Sequence, residues 1–113
     1  MDIKIFHNSR CGTSRTTLGL LRDAGHEPEV IDYLENPPER EQLRDMIAQA
    51  GLSVRDAVRS KEAVYGELGL DGADDDALLD AMLAHPVLIN RPFVVTPKGV
   101  RLCRPAELLN EIL

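Results

Sequence analysis

The sequence predicts an α/β domain built on a four-stranded mixed sheet with helices on both faces. Three observations carry that expectation. The chain opens on a strand–helix–strand pattern, whose two strands should run parallel with a right-handed helical crossover. Towards its other end, two short apolar runs are joined by Pro97-Lys98-Gly99, residues suited to a tight turn, so the last two strands should form an antiparallel hairpin. Between these units the apolar residues recur at helical spacing.

Residues 2 to 7 read as the first strand, with Ile3, Ile5 and Phe6 as apolar positions. From Thr13 the period turns helical: Leu18, Leu21 and Ala24 share a face, and Gly25 supplies the stop. Glu29 to Tyr33 reads as the second strand. Asn36-Pro37-Pro38 ends it and opens the next helix, since proline lacks an N–H that the first turn would leave unpaired anyway. Leu43, Met46, Ile47 and Ala50 line the inner face of that helix, and Gly51 closes it. Ser53 is placed to cap a brief helix reaching Val58, and a second brief helix is expected over Glu62 to Leu68. Asp71 to Asp76 reads as an acidic loop feeding a helix that carries Leu78, Leu79, Met82 and Leu83 and ends at Pro86. Phe93 to Thr96 and Val100 to Cys103 form the hairpin. Pro105 then opens a last helix bearing Leu108, Leu109 and Ile112. This order, with an extra helical insertion ahead of the hairpin, is that of a thioredoxin-like domain.

With 113 residues, 43% of them hydrophobic, the span 1–113 reads as a single domain able to bury its own core. A net charge of −6 argues against nucleic acid or an anionic membrane as the main partner. It also makes arginines gathered in loops more informative. No apolar run is long enough to span a membrane, and Asp2 and Lys4 interrupt the start of any signal peptide. Cys11 and Cys103 are too far apart for a disulfide framework or a zinc pattern. Asp74-Asp75-Asp76 lacks the spaced oxygens and the glycine of a calcium loop, so no metal is expected. The chain therefore reads as cytoplasmic, with free thiols.

The stretch His7-Asn8-Ser9-Arg10-Cys11-Gly12-Thr13-Ser14-Arg15 concentrates the chemistry. It places one thiol where a strand hands over to a helix, among the unpaired N–H groups and the positive end of the helix dipole. A thiol so placed loses its proton more readily, and the thiolate is the nucleophile. His7, Arg10 and Arg15 can add positive charge. The polar, turn-forming neighbours do not suit a buried structural cysteine. Three further arginines lie in loops: Arg59 ends a short amphipathic segment, Arg91 precedes Pro92 and Arg104 precedes Pro105. In a thioredoxin-like fold the loop entering the third strand faces the start of the first helix, so Arg91 should approach Cys11. Guanidinium forks bind tetrahedral oxyanions in bidentate fashion, which makes an oxyanion clamp the reading for the three together. Tyr33 and Tyr65 read as packing residues, Cys103 as a strand cysteine, and His26 and His85 as helix-end cations.

Seven motifs then follow in order: H-N-x-x-C-G-T-S-R, Y-L-E-N-P-P, G-[LI]-S-V-R, Y-x-E-L-G-L, H-P-V-L-I-N-R-P, V-V-T-P-x-G and L-C-R-P. In these the chain resembles the glutaredoxin-dependent arsenate reductases, from about residue 3 onward. The resemblance implies that Cys11 is the nucleophile, His7 its thiolate-stabilising neighbour, and Arg59, Arg91 and Arg104 the substrate-binding arginines. It also implies no bound cofactor, glutathione as co-substrate and glutaredoxin as partner. Arsenate would be attacked by the Cys11 thiolate to give a thioarsenate. Because Ser14 stands where a C-x-x-C would place its second thiol, an external thiol must complete the reduction. Ser9-Arg10 departs from the family's usual proline and small residue, adding a cation beside the nucleophile.

Two enzymatic alternatives fit poorly. A phosphatase-type anion loop needs five residues between cysteine and arginine, and Ser14 weakens a dithiol oxidoreductase. The competing expectation from another class is a redox-responsive regulatory or interaction protein on the same fold, of the kind that binds RNA polymerase.

Overall fold

The computed structural model describes residues 2–113; Met1, the first residue of the expected domain, lies outside the described residues. Strand β1 (Lys4–His7) runs between two neighbours. On one side β2 (Glu29–Asp32) is parallel, pairing Lys4 with Glu29 and His7 with Asp32. On the other side β3 (Phe93–Thr96) is antiparallel, pairing Phe6 with Phe93 and Ile5 with Val94. β4 (Gly99–Leu102) continues the hairpin, giving the order β2-β1-β3-β4. The four-stranded mixed sheet expected from the sequence is the sheet observed.

Alternation along the inner strands divides the core in two. Ile5 and Val94 point to one face, where they meet Leu21 of α1 (Gly12–Asp23) and Leu109 and Ile112 of a terminal 3-10 helix, Ala106–Ile112. Phe6 and Phe93 point to the other, onto Leu43, Met46 and Ile47 of α2 (Arg40–Gln49) and Leu78, Leu79 and Met82 of α4 (Asp75–Ala84). Each such side chain contributes roughly 1.5–3 kcal/mol on burial, so both helical layers are held firmly to the sheet. The short helix α3 (Ala63–Glu67) lies in the insertion between α2 and α4.

The elements depart from the sequence expectation in six places. Residues 2 and 3 precede β1, and β2 ends at Asp32, one residue early. Helix α2 starts at Arg40, because Pro38 is buried ahead of it and Glu39 is the extended N-cap. The supposed acidic loop is partly helical: Leu70–Gly72 forms a 3-10 turn, and Asp74 caps α4 by accepting the Ala77 N–H at 2.9 Å. An aspartate at that position satisfies a backbone donor the first turn cannot. The brief helix after Ser53 and the last helix are both 3-10 in geometry. Gly25 (φ 86°) and Gly51 (φ 74°) follow α1 and α2 as expected, in the left-handed region that glycine enters without steric cost.

At one end of the sheet converge the carboxyl ends of β1, β2 and β4 and the entry to β3. Further bonds stitch the arginine-bearing loops to this end. Arg59 donates its N–H to Leu88 O at 2.7 Å, Asn90 N–H to Ala57 O at 2.8 Å, and Cys103 N–H to Pro92 O at 2.9 Å. The bonds Arg91–Pro92 and Arg104–Pro105 are cis.

Candidate active site

Cys11 is the N-cap of α1, with extended backbone (φ −94°, ψ 122°) and a half-buried thiol. Burial alone would push the thiol up. The Ser14 amide and the guanidinium groups of Arg104 and Arg91 oppose burial and prevail, so the thiol lies below its ordinary value. Arg104 is the direct partner: its Nη1 stands 3.5 Å from Cys11 Sγ and donates to Arg91 O at 3.0 Å. One guanidinium thus contacts the thiol and ties down the loop that enters β3.

His7 sits at the end of β1, and its Nδ1 is 2.6 Å from Ser14 Oγ. The same hydroxyl accepts the Asn8 N–H at 3.1 Å, so its own proton is free for an unprotonated Nδ1. Burial lowers the His7 pKa; the Asp32 carboxylate counters this, while Arg22 and Arg15 add to it. The structure therefore places His7 Nδ1 on Ser14, as a neutral ring at neutral pH. Arg15 is turned away, donating to Ser9 O at 2.8 Å, and both it and Arg10 are exposed. The positive charge next to the thiol comes from Arg104 and Arg91.

Arg91 is 8% exposed. Its Nη1 donates to Val87 O at 3.0 Å and its Nη2 to Glu62 Oε1 at 3.3 Å. Arg59 Nε lies 3.3 Å from the same Glu62 oxygen. The structure thus joins Arg91 and Arg104 at the thiol and brings Arg59 to them through Glu62. The Nε atoms of both Arg59 and Arg91 are buried without a hydrogen-bond acceptor. The Arg59 Nε still faces the Glu62 carboxylate at 3.3 Å, so the donor left open is that of Arg91, and an open buried cationic donor marks a place where an anion can sit.

Four residues of this network were not assigned site roles from the sequence. Asn8 is buried; its Oδ1 accepts the Arg10 N–H at 2.9 Å and its Nδ2 donates to Tyr33 Oη at 3.2 Å. Tyr33 passes the connection to Ile89 O at 3.4 Å, so it is more than a packing residue. Ser14 and Glu62 complete the set. Asn8 and Ser14 lie in the Cys11 stretch, within reach of a local reading, whereas Tyr33 and Glu62 join it only through long-range folding. Cys103 is fully buried on the α1 face of the sheet, where burial pushes its thiol up to about 12. It is a core residue and not a second reactive thiol. Among the described residues, no group of His, Cys, Asp and Glu could hold a metal ion, and no helix is long and apolar enough to cross a membrane.

Comparison with known proteins agrees with this geometry. The model of the ArsC family matches residues 6–112. An arsenate reductase from Rhizobium meliloti (strain 1021) is 57% identical over 115 residues, covering 100% of this chain and 82% of that protein. One from Escherichia coli (strain K12) is 55% identical over 114 residues, covering 99% of this chain and 81% of that protein. Among solved structures, an arsenate reductase from Vibrio cholerae superposes with a TM-score of 0.94 at 46% identity, covering 100% of this chain and 98% of that one. With a match that runs almost from end to end and a thiol-bearing loop and arginines in one place, the chain belongs to the ArsC family.

Proposed function

We propose that this chain reduces arsenate to arsenite, with Cys11 as nucleophile, glutathione as co-substrate and glutaredoxin as the partner that resets the enzyme. The observation that carries the reading is the Arg104 guanidinium, 3.5 Å from Cys11 Sγ and beside the largely buried Arg91. Relatives at 57% and 55% identity that are named arsenate reductase support it.

Thiolate and oxyanion repel one another. At a half-buried site, unit charges about 4 Å apart interact by roughly 4 kcal/mol. A clamp of Arg59, Arg91 and Arg104 offsets that repulsion and orients the tetrahedral anion. Cys11 attacks arsenic; a sulfur–arsenic bond forms, an arsenic–oxygen bond breaks and water leaves, with arsenic still at As(V). His7 serves the step by holding Ser14, whose amide favours the thiolate. Glutathione then attacks the Cys11 sulfur. Its thiol proton passes to the departing oxyanion, the sulfur–arsenic pair of electrons reduces arsenic to As(III), and a Cys11–glutathione disulfide remains. Glutaredoxin takes the glutathione by thiol exchange. Neither Ser14 nor the buried Cys103 offers an internal resolving thiol, so the second thiol comes from outside. A reducing cytoplasm supplies it.

The test is arsenite production from arsenate with glutathione and glutaredoxin. Cys11→Ser should abolish turnover, and Arg91→Ala should lower it by about 10²-fold, the usual effect of losing one oxyanion donor. Full turnover by Cys11→Ser would overturn the mechanism. Turnover by the wild type without glutathione would remove the co-substrate assignment.

A further inference from the structure

We propose that Glu62 is a positioning residue of the arginine clamp, tethering Arg59 to Arg91 so that both guanidinium groups face one oxyanion. The inference rests on the clamp reading above. A single carboxylate oxygen, Glu62 Oε1, lies 3.3 Å from Arg91 Nη2 and 3.3 Å from Arg59 Nε. Arg91 has a second anchor, since its Nη1 donates to Val87 O at 3.0 Å. For the Arg59 guanidinium, which is three times as exposed as that of Arg91 (24% against 8%), Glu62 is the only ion-pair partner among the described residues. Without it, the long Arg59 side chain would have its full rotamer freedom to lose when an anion binds.

The local geometry argues that this placement serves the site rather than the helix. Glu62 is the N-cap of α3, yet its side chain makes no capping hydrogen bond. It meets the two arginines instead, pairing with Arg59 at Nε and with Arg91 at Nη2, and it leaves the Arg91 Nε open. The carboxylate also cancels one of the three positive charges the arginines supply. Its charge therefore opposes anion binding while its tether favours it, and the two effects separate by substitution. Glu62→Gln removes the charge but keeps an acceptor oxygen in place. Glu62→Ala removes both.

The experiment measures how much arsenate half-protects Cys11 from alkylation by iodoacetamide, a binding readout independent of turnover. Half-protection should need about fivefold more arsenate in Glu62→Ala than in Glu62→Gln, the effect of one lost polar contact of ordinary strength. In an Arg59→Ala background that difference should vanish, which a purely structural role at the start of α3 would not produce. Equal half-protection in the two variants, or a difference that persists without Arg59, would overturn the inference and leave the clamp intact. Failure of arsenate to protect the wild type would remove the clamp reading and this inference with it.

Discussion

At Cys11 the decisive balance is between burial, which resists ionisation, and the Ser14 amide with Arg104 and Arg91, which favour it. The thiol lies below its ordinary value, so the alkylation rate should reach its half-maximum below the pH typical of a free cysteine. Arg104→Ala should move that midpoint up and slow alkylation at neutral pH by about tenfold, because an opposite charge in contact is the kind of term that shifts a pKa by a unit or more. A pH–rate profile for both proteins checks this, and an unmoved midpoint would assign the activation to the Ser14 amide and Arg91 instead. The candidate thiol was legible from sequence because strand, turn and helix start are consecutive, whereas the arginines that lower its pKa reach it only through the fold. The partner of His7 was not legible, since only the fold sets its Nδ1 2.6 Å from Ser14 Oγ.

Among the elements, the connection from the end of β2 to the β1–α1 loop and the segment before β3 runs through one phenol. Tyr33 accepts from Asn8 Nδ2 and donates to Ile89 O inside the larger core. Tyr33→Phe keeps the ring's packing but leaves a buried amide donor without its acceptor. The expected cost is about 1–3 kcal/mol of stability, read as a lower urea midpoint with an unchanged slope. A neutral substitution would mean that water replaces the hydroxyl. The strands and the long helices were legible because period and turn residues are local signals. The start of α2 was not: Pro38 fits a first turn by its chemistry, yet it is buried ahead of the helix.

For the whole molecule, the two-sided core adds a pH dependence of its own. Burial holds the Cys103 thiol up to about 12, whereas the ordinary value is 9.0. Between those values the unfolded chain releases this proton and the folded chain keeps it, so rising pH favours unfolding. Stability should fall above pH 9 by about 1.4 kcal/mol per pH unit from this group, with no such contribution at neutral pH. Buried Tyr33, whose pKa is raised by burial, adds a similar slope at higher pH. Urea midpoints from pH 8 to 11 should decline less steeply for Cys103→Ala than for the wild type, even if that variant is less stable throughout; parallel curves would contradict the assignment. The sequence by itself determined the order of elements, the burial pattern that puts helices on both faces of the sheet, and the placing of a single thiol at a helix start. Each of these follows from residues near one another in the chain. The tertiary structure alone decided that Arg104 touches the sulfur 93 positions before it, that Glu62 joins Arg59 to Arg91, and that Cys103 is sealed in the core. Those contacts depend on how the loops at one end of the sheet are drawn together, and no local periodicity encodes that closure.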